Sequence, residues 1–80
     1  MSQKEKLLKK FLARPESLRC VELICILLDL GFQHIPAKGS HQKFKHPHIV
    51  YDLVISIHNH KCKDIYKRKA LNFIKTHFSL

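Results

Sequence analysis

The most restrictive feature of the chain is a run of alternating apolar residues near its middle. Apolar side chains occupy every second position of this run: Ile49, Tyr51, Leu53, Ile55 and Ile57. This is the period of a β-strand with one buried face, and the positions between them, among them Asp52 and Ser56, form a face that meets solvent. The run therefore predicts a sheet with one open face, and it disfavours an all-helical DNA-binding domain.

Two helical patterns precede this strand. Residues 4–13 are predicted to form an amphipathic helix that ends at Pro15. Its expected buried face consists of Leu7, Leu8, Phe11 and Leu12. A second helix, near residues 18–30, is predicted to begin at a Ser17 cap and to end at Gly31 in a left-handed conformation. Its expected buried stripe consists of Leu18, Val21, Ile24, Leu27 and Leu28.

The remaining segments complete the sheet and add a last helix. Strands are predicted over residues 32–37, 41–46 and 49–57, with Pro36 favouring an edge position for the first of them. Asp64 is expected to cap a final helix near residues 65–77. The expected inward side chains of that helix are Tyr66, Ala70, Phe73, Ile74 and Phe78.

This order of elements predicts an α+β fold, in which helices pack on one face of a three-stranded antiparallel sheet. A chain of 80 residues is the size of a single domain. We expect that domain to span residues 1–80, with an N-terminal helical extension over 1–15 and a core over 17–78.

Positive charge is in excess and unevenly spread. Lys and Arg number 15 against 6 Asp and Glu, which gives a formal net charge of +9. Only two of the acids, Asp52 and Asp64, lie in the second half of the chain. This excess predicts a polyanionic partner, nucleic acid ahead of a membrane surface, and it favours the second half as the contact surface. An acidic protein partner is the alternative explanation.

The cysteines fit neither a disulfide framework nor a CxxC pair, and Cys20 and Cys25 are expected to be buried as small apolar side chains. The longest apolar run, residues 21–30, is too short to span a bilayer, and no signal peptide is visible. We therefore expect a reducing, cytoplasmic compartment and no membrane partner.

Histidines near the third cysteine raise the question of a metal site. His58, His60 and Cys62, with His46 and His48 upstream, are of the types that bind zinc. One cysteine beside alternating histidines does not match a known zinc-ligand spacing. We expect no metal and no small-molecule cofactor.

A tight turn followed by a basic strand forms the candidate site. Gly39 predicts the turn, and the alternation around Phe44 directs Lys43 and Lys45 to the strand face on which His41 projects. A neutral imidazole can act as a general base near pH 7, and lysines can bind the phosphates of a nucleic acid. An ordinary surface histidine on a solvated strand is the alternative interpretation.

Two segments of the chain resemble the HicA toxin family: LICILLDLGFQHIPAKGSHQKFKHP and ISIHNHKCKDIYKRKALNFI. The resemblance covers roughly residues 18–76. It rests on Gly31, Phe32, Gly39, Ser40, His41, Phe44, His46 and Pro47. The N-terminal helix with its lysine-rich face resembles a longer subgroup. The chain departs from the family pattern at His58, where Pro is common, and at Lys61, where Gly often follows the loop histidine.

The resemblance implies a fold like that of double-stranded-RNA-binding domains and an mRNA endonuclease toxin that a HicB-type antitoxin neutralises. It implies that His41 is the general base of a metal-independent reaction, in which the ribose 2′-hydroxyl attacks its own phosphate. The expected RNA-binding residues are Gly39, Ser40, Lys43, Lys45, Lys67 and Arg68. His58 and His60 are the candidate general acids. A non-catalytic RNA-binding module and a small protein-interaction domain are the alternatives.

Overall fold

The computed structural model describes residues 3–78 and shows three helices packed on a three-stranded antiparallel sheet. The helices are α1 (Gln3–Ala13), α2 (Cys20–Asp29) and α3 (Asp64–His77), with a 3-10 turn at Pro15–Ser17. The strands are β1 (Gln33–Pro36), β2 (His41–Lys45) and β3 (Leu53–Ser56), side by side in that order. The predicted α+β class is confirmed. Residues 1, 2, 79 and 80 of the predicted domain lie outside the described residues.

The central strand β2 fixes the register of the whole sheet. His34 of β1 is opposite Phe44, and Ser56 of β3 is opposite His41. Pro36 lies on the edge strand β1, where its missing N–H removes no bond from the interior of the sheet. Since every strand pairs with its neighbour in sequence, the sheet is a simple antiparallel meander.

One apolar core lies between the helices and one face of the sheet. The fully buried side chains that build it come from all three helices and from the sheet: Phe11 of α1, Leu23 and Leu27 of α2, Ile74 of α3, and Phe44, Leu53 and Ile55 of the strands. On the opposite face, His41, Lys43 and Lys45 are all exposed. The sheet therefore has one covered and one open face, as its alternating strand pattern predicts.

Helix α2 differs from its prediction in where it begins and in which face it buries. Ser17 does not cap it; the Ser17 hydroxyl donates to the Arg14 carbonyl at 2.7 Å inside the 3-10 turn. The cap position is Arg19, whose N–H donates to the Glu22 carboxylate at 2.9 Å and lowers the pKa of that carboxyl. The structure therefore starts α2 two residues later than the predicted helix.

The prediction of which α2 residues are buried was also wrong in part. Val21 and Leu28 are 55% and 48% exposed, and Cys25 is exposed, whereas Leu23 and Ile26 are buried. Because α2 is apolar almost all round, its periodicity could not determine which face packs against α1 and the sheet. Contacts distant in sequence make that choice.

Strand β3 is shorter than predicted. It covers four residues, while Tyr51 is 68% exposed and Val50 93%. Phe44 pairs with Leu53, so Lys45, the last residue of β2, corresponds to Asp52, and Tyr51 would need a partner beyond β2, where the chain is already turning at Pro47. The apolar alternation in the sequence thus continues past the end of the partner strand β2.

The cap of α3 also differs from its prediction. Asp64 is the first residue of α3, and the cap residue is Lys63.

His46 joins the end of β2 to the end of α2. Its Nδ1 accepts a hydrogen bond from the His48 N–H at 3.2 Å, so Nε2 carries the proton and donates to the Leu30 carbonyl at 2.9 Å. Gly31 has φ +98°, and a Cβ there would lie 3.1 Å from His46 Nε2. The imidazole also packs against Phe32 and Phe78, with ring centroids 5.1 Å away in each case. His46 is therefore part of the fold.

Candidate nucleic-acid interface

His41 stands at the start of β2, on the open face of the sheet. Lys43 and Lys45 follow on the same face, at intervals of about 7 Å along the strand. Ile35 and Val54 are the strand partners of Lys43, so its aliphatic stem has apolar neighbours while its ammonium group reaches solvent. The arrangement is an exposed imidazole at the head of a row of cations.

The turn before His41 depends on Gly39. This residue has φ +67°, in the left-handed region of the backbone that residues other than glycine rarely adopt. A Cβ at this position would meet no atom within 4 Å, so the backbone conformation and not crowding requires glycine. The open space beside the turn leaves room for a ligand to approach the backbone closely.

Ser56 is a site residue that the sequence did not single out. It lies opposite His41 in the β2–β3 pairing, and its hydroxyl is 2.8 Å from the Ser40 hydroxyl. The Ile57 N–H donates to the Ser40 carbonyl at 2.8 Å. Two hydrogen bonds thus hold the residue before His41 against β3. The one signal in the sequence was the place of Ser56 on the predicted open face.

A tight hairpin extends this end of the sheet beyond β3. His58 and Lys61 exchange two backbone hydrogen bonds of 2.8 Å, and Asn59 and His60 form the tip with φ of 50° and 63°. Two successive positive φ angles define a type I′ turn, which normally ends in glycine. His60 is the second residue of this tip, a position at which the backbone conformation favours glycine.

We expect the substitution His60→Gly to stabilise the domain. Glycine adopts φ +63° without the Cβ conflict, and the gain should exceed its greater freedom in the unfolded chain by about 0.5 kcal/mol. The midpoint of thermal unfolding should rise by about 2–4 °C. Asn59→Gly is the matched control, and we expect a smaller change because asparagine tolerates this conformation better. A lower midpoint for His60→Gly would contradict the strain at this position.

The two candidate acids occupy different surroundings. His58 lies two residues after Ser56, the strand partner of His41, and pairs with Lys61 at the base of the hairpin. His60 lies at the hairpin tip and borders a cleft against the start of α2. Both side chains are exposed. Of the two, His58 lies nearer in the chain to Ser56, the strand partner of His41.

Lys67 and Arg68 are engaged within the protein. The Lys67 side chain is 11% exposed, lies 3.5 Å from the Asp64 carboxylate and donates to the Glu16 carbonyl at 3.4 Å. Arg68 pairs with the Glu16 carboxylate at 3.4 Å and is half exposed. These contacts fasten α3 to the 3-10 turn, so the structure does not bring the two cations to the face of His41. Their predicted contact with RNA stays a prediction.

The histidines and cysteines do not form a metal centre in the part of the chain that the structure describes. Within residues 3–78, no group of three or more His, Cys, Asp or Glu side chains is arranged to hold an ion. His46 points to the other end of β2, where it binds Leu30. Over the same residues, no helix is long and apolar enough to cross a membrane.

Comparison with protein families finds a match over most of the chain. The family model described as the HicA toxin of bacterial toxin–antitoxin systems matches residues 21–76, which is more than half of the chain. Neither a curated protein nor a solved structure matches the chain significantly. The matched range runs from the start of α2 to the last turn of α3, and it includes the Gly39–His41 turn and the basic strand.

Proposed function

The chain belongs to the HicA toxin family of bacterial toxin–antitoxin systems, and from this premise we propose that it is a metal-independent RNA endonuclease with His41 as its general base. The observation that carries the proposal is the exposed imidazole of His41 on the same sheet face as Lys43 and Lys45. RNA supplies its own nucleophile, the ribose 2′-hydroxyl, so the protein needs a base, an acid and cations.

In the proposed reaction, His41 removes the proton of the 2′-hydroxyl, and the resulting oxygen attacks the adjacent phosphorus. Lys43 stabilises the negative charge that develops on the phosphoryl oxygens, and Lys45 binds a neighbouring phosphate. The bond to the 5′-oxygen breaks, and an acid protonates the leaving oxygen. The product is a 2′,3′-cyclic phosphate. DNA lacks the 2′-hydroxyl, so it is not cleaved.

We assign the acid to His58 ahead of His60. Its support is position: His58 lies two residues after Ser56, the strand partner of His41, whereas His60 is held at the turn tip. Gly39 and Ser40 serve as the turn that lets the RNA backbone approach His41. Ser40 is held by Ser56 at 2.8 Å, so the turn is fixed before RNA binds.

Cleavage of a single-stranded RNA by the purified protein tests the reaction class. We expect products that end in a 2′,3′-cyclic phosphate or a 3′-phosphate, and no cleavage of the DNA of the same sequence. EDTA should leave the rate unchanged because no step uses a metal. A rate that collapses on chelation and returns with a divalent cation would rule the mechanism out.

The basic face makes a separate prediction about binding. RNA affinity should fall with salt, and the double substitution Lys43→Gln with Lys45→Gln should reduce the slope of log K against log salt by about 1.4, since each phosphate contact on a single strand contributes ~0.7. Binding to all RNA sequences should weaken alike. The matched control removes two exposed helical lysines, Lys6→Gln with Lys75→Gln. Equal slopes for the two double variants would refute a phosphate-binding role for the sheet face.

The protein acts with an antitoxin partner, as its family implies, and we propose that this partner is of the HicB type and covers the open face of the sheet. The support for this proposal is charge. An inhibitor that covers His41, Lys43 and Lys45 would prevent RNA from binding there, and an acidic surface on the inhibitor would complement these cations. A non-catalytic RNA-binding module shares the basic face but has no need of His41.

A further inference from the structure

Two serine hydroxyls lie beside His41 and contact each other across the end of the sheet. The hydroxyl of Ser40, in the turn before β2, is 2.8 Å from the hydroxyl of Ser56, at the last position of β3. Both residues are half-buried, so a ligand on the open face of the sheet has access to them. The reaction proposed above uses Ser40 to hold the turn, and it gives Ser56 no contact with RNA.

The backbone pairing brings Ser56 as close to His41 as neighbouring strands allow. The Ile57 N–H donates to the Ser40 carbonyl, so Ser40 and Ile57 form a hydrogen-bonded pair of the antiparallel ladder. Hydrogen-bonded and non-hydrogen-bonded pairs alternate, so the next pair, His41 with Ser56, is non-hydrogen-bonded. The two side chains of such a pair share one face of the sheet, and their Cβ atoms are about 5 Å apart. The hydroxyl of Ser56 therefore borders the imidazole on the open face.

The two hydroxyls hold one hydrogen more than their contact uses. One O–H donates to the other oxygen, and the hydroxyl that accepts this bond retains its own hydrogen. Within residues 3–78, neither hydroxyl has a second partner. A hydroxyl that accepts a hydrogen bond is polarised by it and becomes a stronger donor. The pair thus offers one activated O–H to a ligand at the start of β2.

We propose that Ser56 is a catalytic residue: its hydroxyl, which accepts a hydrogen bond from Ser40, donates to a non-bridging oxygen of the phosphate that is cleaved. This inference rests on the proposed RNase function and adds a residue to it. Ser56 is the outward donor because it lies on the open face directly opposite His41. It keeps its proton throughout the reaction. Negative charge on the phosphoryl oxygens grows in the transition state, so this hydrogen bond is strongest there and lowers the barrier.

The position of Ser56 complements that of Lys43. Measured from His41, Lys43 lies about 7 Å along the same strand, whereas Ser56 lies about 5 Å away on the neighbouring strand. The two donors therefore approach a phosphate above His41 from different sides and serve its two non-bridging oxygens separately. The turn leaves room for that phosphate, because a Cβ at Gly39 would meet no atom within 4 Å.

The rate of cleavage by Ser56→Ala is the first test. We expect the single-turnover rate to fall about 10–10²-fold, as when a hydrogen bond to a charged group is lost, while RNA affinity changes little. Ser56→Thr keeps the hydroxyl on a residue that suits a strand, and it should retain most of the rate. Ser17→Ala is the matched control, because the Ser17 hydroxyl also makes one hydrogen bond, to the Arg14 carbonyl. This variant should cleave at the rate of the unmodified protein.

A sulfur-substituted RNA separates direct contact from a structural role. Replacement of one non-bridging oxygen at the cleavage site by sulfur gives two diastereomers, and sulfur accepts hydrogen bonds poorly. The unmodified protein should cleave the diastereomer whose sulfur faces Ser56 about 10-fold or more slowly than the oxygen substrate. Ser56→Ala should cleave that diastereomer and the oxygen substrate at nearly equal rates. If Ser56 only holds Ser40 in place, its loss slows all substrates alike and leaves the ratio unchanged.

Two results would overturn this inference and leave the RNase function standing. One is an unchanged cleavage rate for Ser56→Ala. The other is a sulfur-to-oxygen rate ratio that is the same in Ser56→Ala and in the unmodified protein for both diastereomers. Circular dichroism verifies that the variants are folded, and Ser56→Cys, of similar shape but a weak donor, replaces Ser56→Ala if the latter is not. If the unmodified protein cleaves no RNA, the proposed function itself fails, and the role of Ser56 fails with it.

Discussion

Replacement of His41 by alanine is expected to lower the rate of RNA cleavage by about 10²–10⁴-fold, because the reaction loses its general base. The fold should persist, since His41 is exposed at a strand end and its side chain packs on nothing in the core. RNA affinity should persist as well, because Lys43 and Lys45 are unchanged. Single-turnover cleavage, RNA binding and thermal unfolding measured on one preparation separate these three effects.

The control for His41→Ala is His48→Ala. His48 is also an exposed histidine, but it lies beyond the opposite end of β2. We expect this variant to cleave RNA at the rate of the unmodified protein. If His41→Ala cleaves as fast as His48→Ala, His41 is not the base, and the protein is better explained as an RNA-binding module. When the two variants are expressed in growing cells, His48→Ala should inhibit growth and His41→Ala should not.

In contrast to His41→Ala, the substitution His46→Ala is expected to lower the stability of the fold and to change the rate of RNA cleavage little. It leaves the partly buried Leu30 carbonyl without its donor and removes two aromatic contacts, which together contribute about 3 kcal/mol of unfolding free energy. For a domain of this size the unfolding midpoint should fall by more than ~10 °C. Below that midpoint, the rate of RNA cleavage should be close to that of the unmodified protein.

Chemical denaturation of His46→Ala and of His48→Ala checks this prediction. Both variants lose an imidazole from the same turn, but only His46 bonds to α2, so only its loss should shift the denaturation midpoint strongly. A folded His46→Ala protein that no longer cleaves RNA would place His46 in the chemistry. An unshifted midpoint would show that the hydrogen bond to Leu30 contributes little.

The parts of the fold that depend on local patterns could be predicted from the sequence. A period of two directs Lys43 and Lys45 to the face of His41 without knowledge of any partner strand. The stop at Gly31 and the turn at Gly39 follow from the same local chemistry, because both residues have positive φ. These features place the candidate residues His41, Lys43 and Lys45 on one face of the sheet, and local patterns alone determine that placement.

The predictions that failed concern features that depend on contacts between residues distant in sequence. Tyr51 continues a strand pattern, but β2 has no residue left to pair with it. Val21 and Leu28 are as apolar as their buried neighbours, and only the docking of α2 decides which of them face solvent. The contact of Ser56 with Ser40 requires the register of two strands, and the burial of Lys67 requires the 3-10 turn, 51 residues earlier. No local rule gives any of these.

The meander of the sheet has a consequence for how the chain folds during synthesis. Because β1, β2 and β3 each pair with the next segment, closing the sheet needs only short loops, and pairing of this kind is fast. The core, however, also needs Ala70, Leu71 and Ile74, which belong to the last helix. A nascent chain that stops before α3 has an apolar sheet face with nothing to cover it. We therefore expect the folded state, and any harm to the cell, to arise only once the ribosome has released the C-terminal helix.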